Sequence, residues 1–197
     1  MCNTINLEER KRAYTESVSG YKAKIIICAG TGCMAGGSMK IYHRFREVIA
    51  ERGLSVTVAL EKEKTDYILA ESGCQGFCQM GPLVTLLPRG VLYTKVQPDD
   101  VEEIVDTTLI GGGYVERLLF SRPDNGEYVR DMNKIPFYAL QQRAMLRLCG
   151  NIDVADLDEY IANDGYFMAR RAVLNMTDVE ICQALLDSGL RGRGGGG

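Results

Sequence analysis

The chain has 197 residues, of which 46% are hydrophobic and 25% are charged, a composition typical of a folded globular protein. This length allows one large or two small domains, each able to bury a core. The net charge is −3 and no basic stretch dominates, which argues against a nucleic-acid partner. No apolar segment is as long as a membrane helix requires, so we expect no membrane insertion.

Residues 1–10 are polar and lack the apolar core of a signal peptide, which predicts a cytoplasmic location. The chain contains seven cysteines, and an odd number agrees with a reducing compartment in which thiols bind metals or pack in a core. Residues 7–18 are polar and helix-prone. We assign residues 1–20 to an N-terminal arm.

Residues 21–112 alternate between strand and helix patterns. The strands are predicted from apolar runs, from alternation of apolar and polar residues and from a turn at Pro88-Arg89-Gly90, and they cover residues 24–27, 54–60, 67–71, 83–87 and 91–93. Apolar residues at three- and four-residue steps predict helices over 38–52 and 99–109. A strand-helix-strand unit followed by a hairpin and a last helix favours an α/β fold, with a small mixed sheet covered by helices.

Two closely spaced cysteine pairs lie in glycine-rich loops of this region. Cys28 and Cys33 form a C-x4-C pair directly after the first predicted strand, and Cys74 and Cys78 form a second pair. The first pair therefore lies at the carboxyl edge of a sheet, where binding sites are commonly built. Glycines in these loops allow tight turns that point backbone N–H groups at sulfur, and they are Gly30, Gly32, Gly73 and Gly76. Four thiolates so placed can hold one metal centre.

Three kinds of site use close thiols: an iron-sulfur cluster, a structural zinc and a redox disulfide. The cysteine spacings of clusters and zinc sites overlap, so spacing alone does not separate them. The disulfide is the weakest interpretation, because neither pair is the C-x-x-C of a thioredoxin-like redox motif.

The first strand, the Cys28–Cys33 loop, the loop Ser72-Gly73-Cys74-Gln75-Gly76-Phe77-Cys78 and the apolar strand after Gly81-Pro82 resemble a known domain. They are similar, over residues 20–115, to the thioredoxin-like 2Fe-2S ferredoxin domain of NADH-dehydrogenase-type electron-transfer subunits. The resemblance implies a thioredoxin-like mixed sheet, electron transfer, and a 2Fe-2S cluster ligated by Cys28, Cys33, Cys74 and Cys78. The alternative is a zinc-stabilised interaction module without a redox role.

Gly111-Gly112-Gly113 predicts the end of the first domain at residue 112. The turn-rich segment 113–135 is assigned as a linker. Residues 136–197 are predicted to contain short helices over 153–162, 166–174 and 178–187, the first capped by Asp153 and the last opened by the capping box of Thr177 and Glu180. We expect Ile181, Leu185 and Cys182 of the last helix to face inward, and Cys149 and Cys182 to be buried structural thiols.

The chain ends in a glycine-rich run that includes Gly192, Arg193, Gly194 and Gly195. On composition alone, such a run is typical of a flexible end. However, the whole stretch from Arg147 to Gly195, which includes residues 147–150, 158–160 and 188–195, resembles the start of the flavin-binding subunit of NADH dehydrogenases and NAD(P)-linked hydrogenases. The resemblance implies that Gly192, Arg193, Gly194 and Gly195 begin a loop over FMN. Glycines let backbone N–H groups approach a phosphate, and arginine pairs with it by charge.

The remainder of that flavin loop and the NADH-binding residues of the resembled family lie beyond this sequence. We therefore expect the chain to be the start of a longer protein, similar to the diaphorase subunits of hydrogenases and formate dehydrogenases. The complete protein would bind FMN and NAD(P)H, and its partners would be other redox subunits of a multi-subunit complex. The chain offers no general acid, base or nucleophile set, so we do not expect it to catalyse a reaction by itself.

Overall fold

A five-stranded mixed sheet forms the centre of the structure, which is a computed structural model describing residues 5–58 and 66–192. The strand order is β2-β3-β1-β4-β5. The parallel pairs are β1 with β3 and β2 with β3, and β4 runs antiparallel to both β1 and β5. The strands are β1 (Ala23–Cys28), β2 (Val56–Val58), β3 (Tyr67–Ser72), β4 (Val84–Leu87) and β5 (Val91–Tyr93). The predicted α/β fold with a mixed sheet is confirmed.

Helices cover the sheet and recur through the C-terminal part of the chain. They are α1 (Leu7–Ser17), α2 (Thr31–Ala35), α3 (Ser38–Glu51), α4 (Val101–Ile104), α5 (Pro136–Ala139), α6 (Leu157–Ala162), α7 (Phe167–Asn175) and α8 (Asp178–Asp187). No helix within the described residues is long and apolar enough to cross a membrane.

Strand β1 lies in the middle of the sheet, and this position explains its nearly unbroken apolar sequence. Ile25, Ile26 and Ile27 are completely buried, because strands flank β1 on both edges and helices cover the sheet. In the parallel register with β3, Cys28 is paired with Ser72. The two strands therefore end at the same edge, and the two cysteine loops begin side by side.

Helix α3 packs one apolar face on the sheet, as its sequence period predicts. The buried side chains of this face are Ile41, Tyr42, Phe45, Val48 and Ile49. The helix ends in a Schellman motif, in which the N–H of Gly53 bonds to Ala50 and the N–H of Leu54 bonds to Ile49. Gly53 has a φ of +65°, which explains why a glycine follows this helix.

The predicted helix over 99–109 is present but is not α-helical throughout. A 3-10 turn over Pro98–Asp100 leads into the short α4, and Val105–Ile110 is a π-helix. The π-helix is seen in the hydrogen bond from the N–H of Gly111 to the carbonyl of Asp106, five residues earlier.

The hydrophobic core continues past the three glycines at residues 111–113. Val115, Leu118 and Leu119 are buried in the same cluster as the sheet residues. The N–H of Val115 also donates to the buried Tyr93 hydroxyl at 3.0 Å. The segment then forms a small antiparallel pair, β6 (Phe120–Ser121) with β7 (Tyr128–Val129). The domain boundary at residue 112 remains a prediction, and these residues add core contacts beyond it.

The N-terminal helix α1 packs on α6. Arg10 pairs with Asp158 at 2.6 Å, and Lys11 pairs with Asp164 at 2.6 Å. The prediction that Asp153 caps a helix is wrong, because α6 begins later and Asp156 caps it, accepting from the N–H groups of Asp158 and Glu159. The side chain of Asp153 instead accepts from the N–H of Ala155 in the preceding turn.

Helix α8 has the predicted capping box but not the predicted inward face. Thr177 accepts from the N–H of Glu180, and the Glu180 carboxylate accepts from the N–H of Thr177. No side chain of α8 is buried, and Leu185 and Cys182 are exposed. The expectation of inward-facing Leu185 and Cys182 is therefore wrong, because none of the described residues covers this side of the helix. The spacing of the apolar residues in this segment correctly predicted a helix, but it did not predict that the helix would be exposed.

Candidate metal centre

The four cysteines come from three neighbouring elements at one edge of the sheet. Cys28 is the last residue of β1, and Cys33 lies in α2 directly after it. Both are almost fully buried, with 1% and 2% of their surface exposed. Cys74 and Cys78 lie in the loop after β3, and both are exposed. The site therefore has a buried pair and an exposed pair.

Close approaches within and between the loops bring the two cysteine pairs near each other at this edge of the sheet. The sulfurs of Cys74 and Cys78 are 3.9 Å apart. A methyl group added to Gly30, in the first loop, would lie 3.2 Å from the Cys74 sulfur. A methyl group added to Gly81, after the second loop, would lie 2.8 Å from the Cys33 sulfur. Gly30 and Gly81 thus stand where a side chain would push the cysteines apart.

The environment of two of the thiols, those of Cys33 and Cys78, disfavours their ionisation. Burial, together with the neighbouring Cys28 thiol, raises the pKa of Cys33 to about 12. The pKa of Cys78 is also raised, mainly by its hydrogen bond and charge interaction with Cys74. Thiolates so close together repel each other, and positively charged metal ions relieve that repulsion because they bind thiols in the ionised form.

The donor set fits an iron-sulfur cluster. Four cysteine thiolates are the ligands of a 2Fe-2S cluster, and a backbone N–H already points at one of the sulfurs, from Gly76 to Cys74 at 3.4 Å. Within residues 5–58 and 66–192, no group of three or more His, Cys, Asp or Glu side chains meets the geometry of a site for a metal ion. The fit to a cluster rests on the donor chemistry and on the paired cysteines.

The remaining residues that the sequence singled out have separate outcomes. Cys149 is partly buried and Cys182 is exposed, so the prediction that Cys182 is a buried thiol is wrong. Gly192 is the last described residue, and the proposed flavin residues Arg193, Gly194 and Gly195 lie outside the described residues. The only histidine in the sequence, His43, is exposed on α3.

Gln75, between the two exposed cysteines, is a site residue that the sequence did not reveal. Only 2% of its surface is exposed. Its side-chain amide donates to the Ser72 hydroxyl at 3.2 Å, and its side-chain oxygen accepts from the Thr85 hydroxyl at 3.1 Å. Gln75 therefore ties the second cysteine loop to β3 and β4.

A buried ion pair joins β1 to the C-terminal helices below the site. Lys24 contacts the Glu159 carboxylate, and only 3% and 7% of these residues are exposed. The second oxygen of Glu159 accepts from the N–H of Asp153 at 2.8 Å. The pKa of the nearby Tyr14 hydroxyl is raised, first by burial and then by the charge of Glu159. A lysine at the start of a buried apolar strand was the sequence signal that such a partner exists.

A mixed sheet with two cysteine loops at one edge points to the class of thioredoxin-like iron-sulfur proteins. Residues 13–109 match the family described as thioredoxin-like 2Fe-2S ferredoxin. A 2Fe-2S ferredoxin of Aquifex aeolicus is 37% identical over 91 residues, which are 46% of this chain and 74% of that protein. The chain therefore belongs to the thioredoxin-like 2Fe-2S ferredoxin family.

Two further similarities concern a solved structure and a larger protein. The structure of a thioredoxin-like 2Fe-2S ferredoxin from Aquifex aeolicus covers 55% of this chain and 99% of its own, with 29% identity and a TM-score of 0.42. The NADP-reducing hydrogenase subunit HndC of Solidesulfovibrio fructosivorans is 47% identical over 57 residues, which are 29% of this chain and 11% of that subunit. The chain thus matches only a small part of HndC.

Proposed function

We propose that Cys28, Cys33, Cys74 and Cys78 ligate a 2Fe-2S cluster through which the chain transfers electrons. The observation that carries this proposal is the convergence of the four thiols at one sheet edge, with Gly30 and Gly81 packed directly against them. Membership of the thioredoxin-like 2Fe-2S ferredoxin family supports both the cluster and its role in electron transfer.

When bound, the cluster supplies a centre that accepts and releases one electron at a time. The two cysteine pairs would hold opposite sides of it. Buried Cys28 and Cys33 fix one side to the sheet, and exposed Cys74 and Cys78 face the surface. An electron-transfer partner would therefore approach from the Cys74–Cys78 loop.

At a finer level, the chain would be the N-terminal part of an FMN-containing subunit that oxidises or reduces NAD(P)H. The support is the similarity to the hydrogenase subunit HndC and the resemblance of residues 188–195 to the start of a flavin loop. Its partners would be other redox subunits of a hydrogenase or formate dehydrogenase complex. Residues Gly192, Arg193, Gly194 and Gly195 would then contact FMN only when the following sequence is present.

Single cysteine substitutions test the ligand set. Changing Cys28, Cys33, Cys74 or Cys78 to serine should weaken or abolish the visible absorption of the cluster, because each removes one thiolate ligand. The matched controls are Cys149→Ala and Cys182→Ala, which should keep the full spectrum. An unchanged spectrum in Cys74→Ser would remove that residue from the ligand set.

A further inference from the structure

A segment outside the family-matched residues 13–109 packs against part of the second cysteine loop and leaves its cysteines exposed. The ring of Phe77, the residue before Cys78, stacks on Phe137 with centroids 4.4 Å apart and planes 7° from parallel. The centroid of the Phe77 ring also lies 5.7 Å from that of Phe120 and 5.8 Å from that of Tyr138. This apolar cluster holds one side of the loop against residues that follow the domain in sequence.

Phe137 also lies against the backbone of the loop. A methyl group on Gly76 would be 3.6 Å from the Phe137 ring, so the ring lies beside the glycine at ordinary contact distance from a side chain placed there. Gly76 has a φ of +86°, a conformation that glycine adopts without strain but does not hold by its own preference. In this conformation its N–H points at the Cys74 sulfur at 3.4 Å.

Residues after 135 also contact Gln75, the residue before Gly76 in the loop. The Tyr138 hydroxyl donates to the backbone carbonyl of Gln75 at a long 3.5 Å. Gly150 packs against the Gln75 side chain, where a methyl group would be only 3.0 Å from it. The backbone and the side chain of Gln75 are therefore both in contact with residues beyond 135.

We propose that Phe137 is a positioning residue for the cluster, which holds the Gly76 N–H on the Cys74 sulfur and thereby sets the reduction potential. This inference rests on the proposed function. The reduced cluster carries one more negative charge than the oxidised cluster, so a hydrogen bond to a ligand sulfur stabilises the reduced form more. Releasing that hydrogen bond shifts the midpoint potential to a more negative value.

The test is a redox titration of the full chain, followed by electron paramagnetic resonance of the reduced cluster. Phe137→Ala should shift the midpoint potential in the negative direction, and Phe137→Tyr, which keeps the stacking ring, should restore the wild-type value. The matched control is Phe167→Ala, since Phe167 is also a partly buried phenylalanine but lies under Lys11 of α1. This control should keep the wild-type potential.

Amide hydrogen exchange at Gly76 in the metal-free protein gives a second readout that does not need the cluster. Exchange should be faster in Phe137→Ala than in Phe167→Ala. An unchanged or more positive potential in Phe137→Ala, or unchanged exchange, would overturn the positioning role. If Phe137→Ala fails to fold, Phe137→Leu takes its place with the same criteria. A wild-type chain that binds no cluster would contradict the proposed function instead, while the exchange measurement would still test the contact.

Discussion

Gly30, in the first cysteine loop, lies directly against Cys74 of the second loop. A methyl group on it would lie 2.9 Å from the Cys74 Cβ and 3.0 Å from the Cys74 Cα, which real side chains do not tolerate. Gly30→Ala must therefore push the loops apart, at a cost of about 1–3 kcal/mol for overpacking. We expect a lower iron content and weaker visible absorption per chain.

Gly32 supplies the matched control for this substitution. A methyl group on Gly32 would lie 3.6 Å from the Cys78 Cβ, an ordinary contact distance. The residue lies within α2, where alanine is more favourable than glycine by up to about 1 kcal/mol. Gly32→Ala should therefore load its cluster normally. Equal iron content in both variants would show that the space around Gly30 does not govern assembly.

At the scale of elements, the contact between β1 and α6 depends on the buried pair of Lys24 and Glu159. Glu159→Ala leaves the buried lysine without its carboxylate, which typically costs about 3–5 kcal/mol. The free energy of unfolding, measured by urea denaturation with circular dichroism, should fall by that order. The exposed pair of Lys22 and Asp66, 2.9 Å apart, offers the comparison. Asp66→Ala should cost less than about 1 kcal/mol, because water screens an exposed pair.

A similarly small loss in both variants would show that Glu159 does not join the C-terminal helices to the sheet. A large loss specific to Glu159→Ala would mean that residues 150–162 contribute to the stability of the ferredoxin fold. Residues beyond the predicted boundary at 112 would then stabilise the fold, although the family match ends at residue 109.

The elements that carry the site could be predicted from local sequence. The apolar run before Cys28, the period of α3 and the turn at Pro88-Arg89-Gly90 each specify their element within a few neighbouring residues. The parallel pairing of β1 with β3 then brings both cysteine loops to one edge. Local pattern and sheet topology were sufficient for this part of the site.

The contacts that support the loops could not be predicted in the same way. Phe77 and Phe137 are 60 positions apart, and no periodicity links them. Lys24 signalled a buried partner by its position, but nothing in the sequence identified Glu159 rather than another carboxylate. The exposed α8 shows the opposite error, because an amphipathic period indicates that a helix can bury a face and not what covers it.

At the scale of the whole molecule, the flavin proposal predicts a dependence on chain length. The glycine-rich end cannot offset the entropy of its own ordering around a phosphate, so the 197-residue chain should bind FMN weakly or not at all. A chain extended past Gly197 to complete the flavin domain should bind it. Replacing Gly194 or Gly195 with valine in the extended chain should weaken binding by blocking close backbone approach.

FMN fluorescence titrations of the short and extended chains measure this difference. Tight binding by the short chain, or no binding by the extended chain, would contradict the proposal that residues 192–195 begin a flavin loop. Neither result would bear on the cluster, because the four cysteines lie in the part of the chain that matches the ferredoxin family.

The central claim is that the four cysteines hold a 2Fe-2S cluster, and metal analysis of the anaerobically purified chain tests it most directly. Zinc sites are colourless, whereas iron-sulfur clusters absorb visible light, so the metal content and the spectrum can be compared on one sample. We predict a brown protein with about two irons and two acid-labile sulfides per chain. A colourless protein with stoichiometric zinc and no iron would contradict the account.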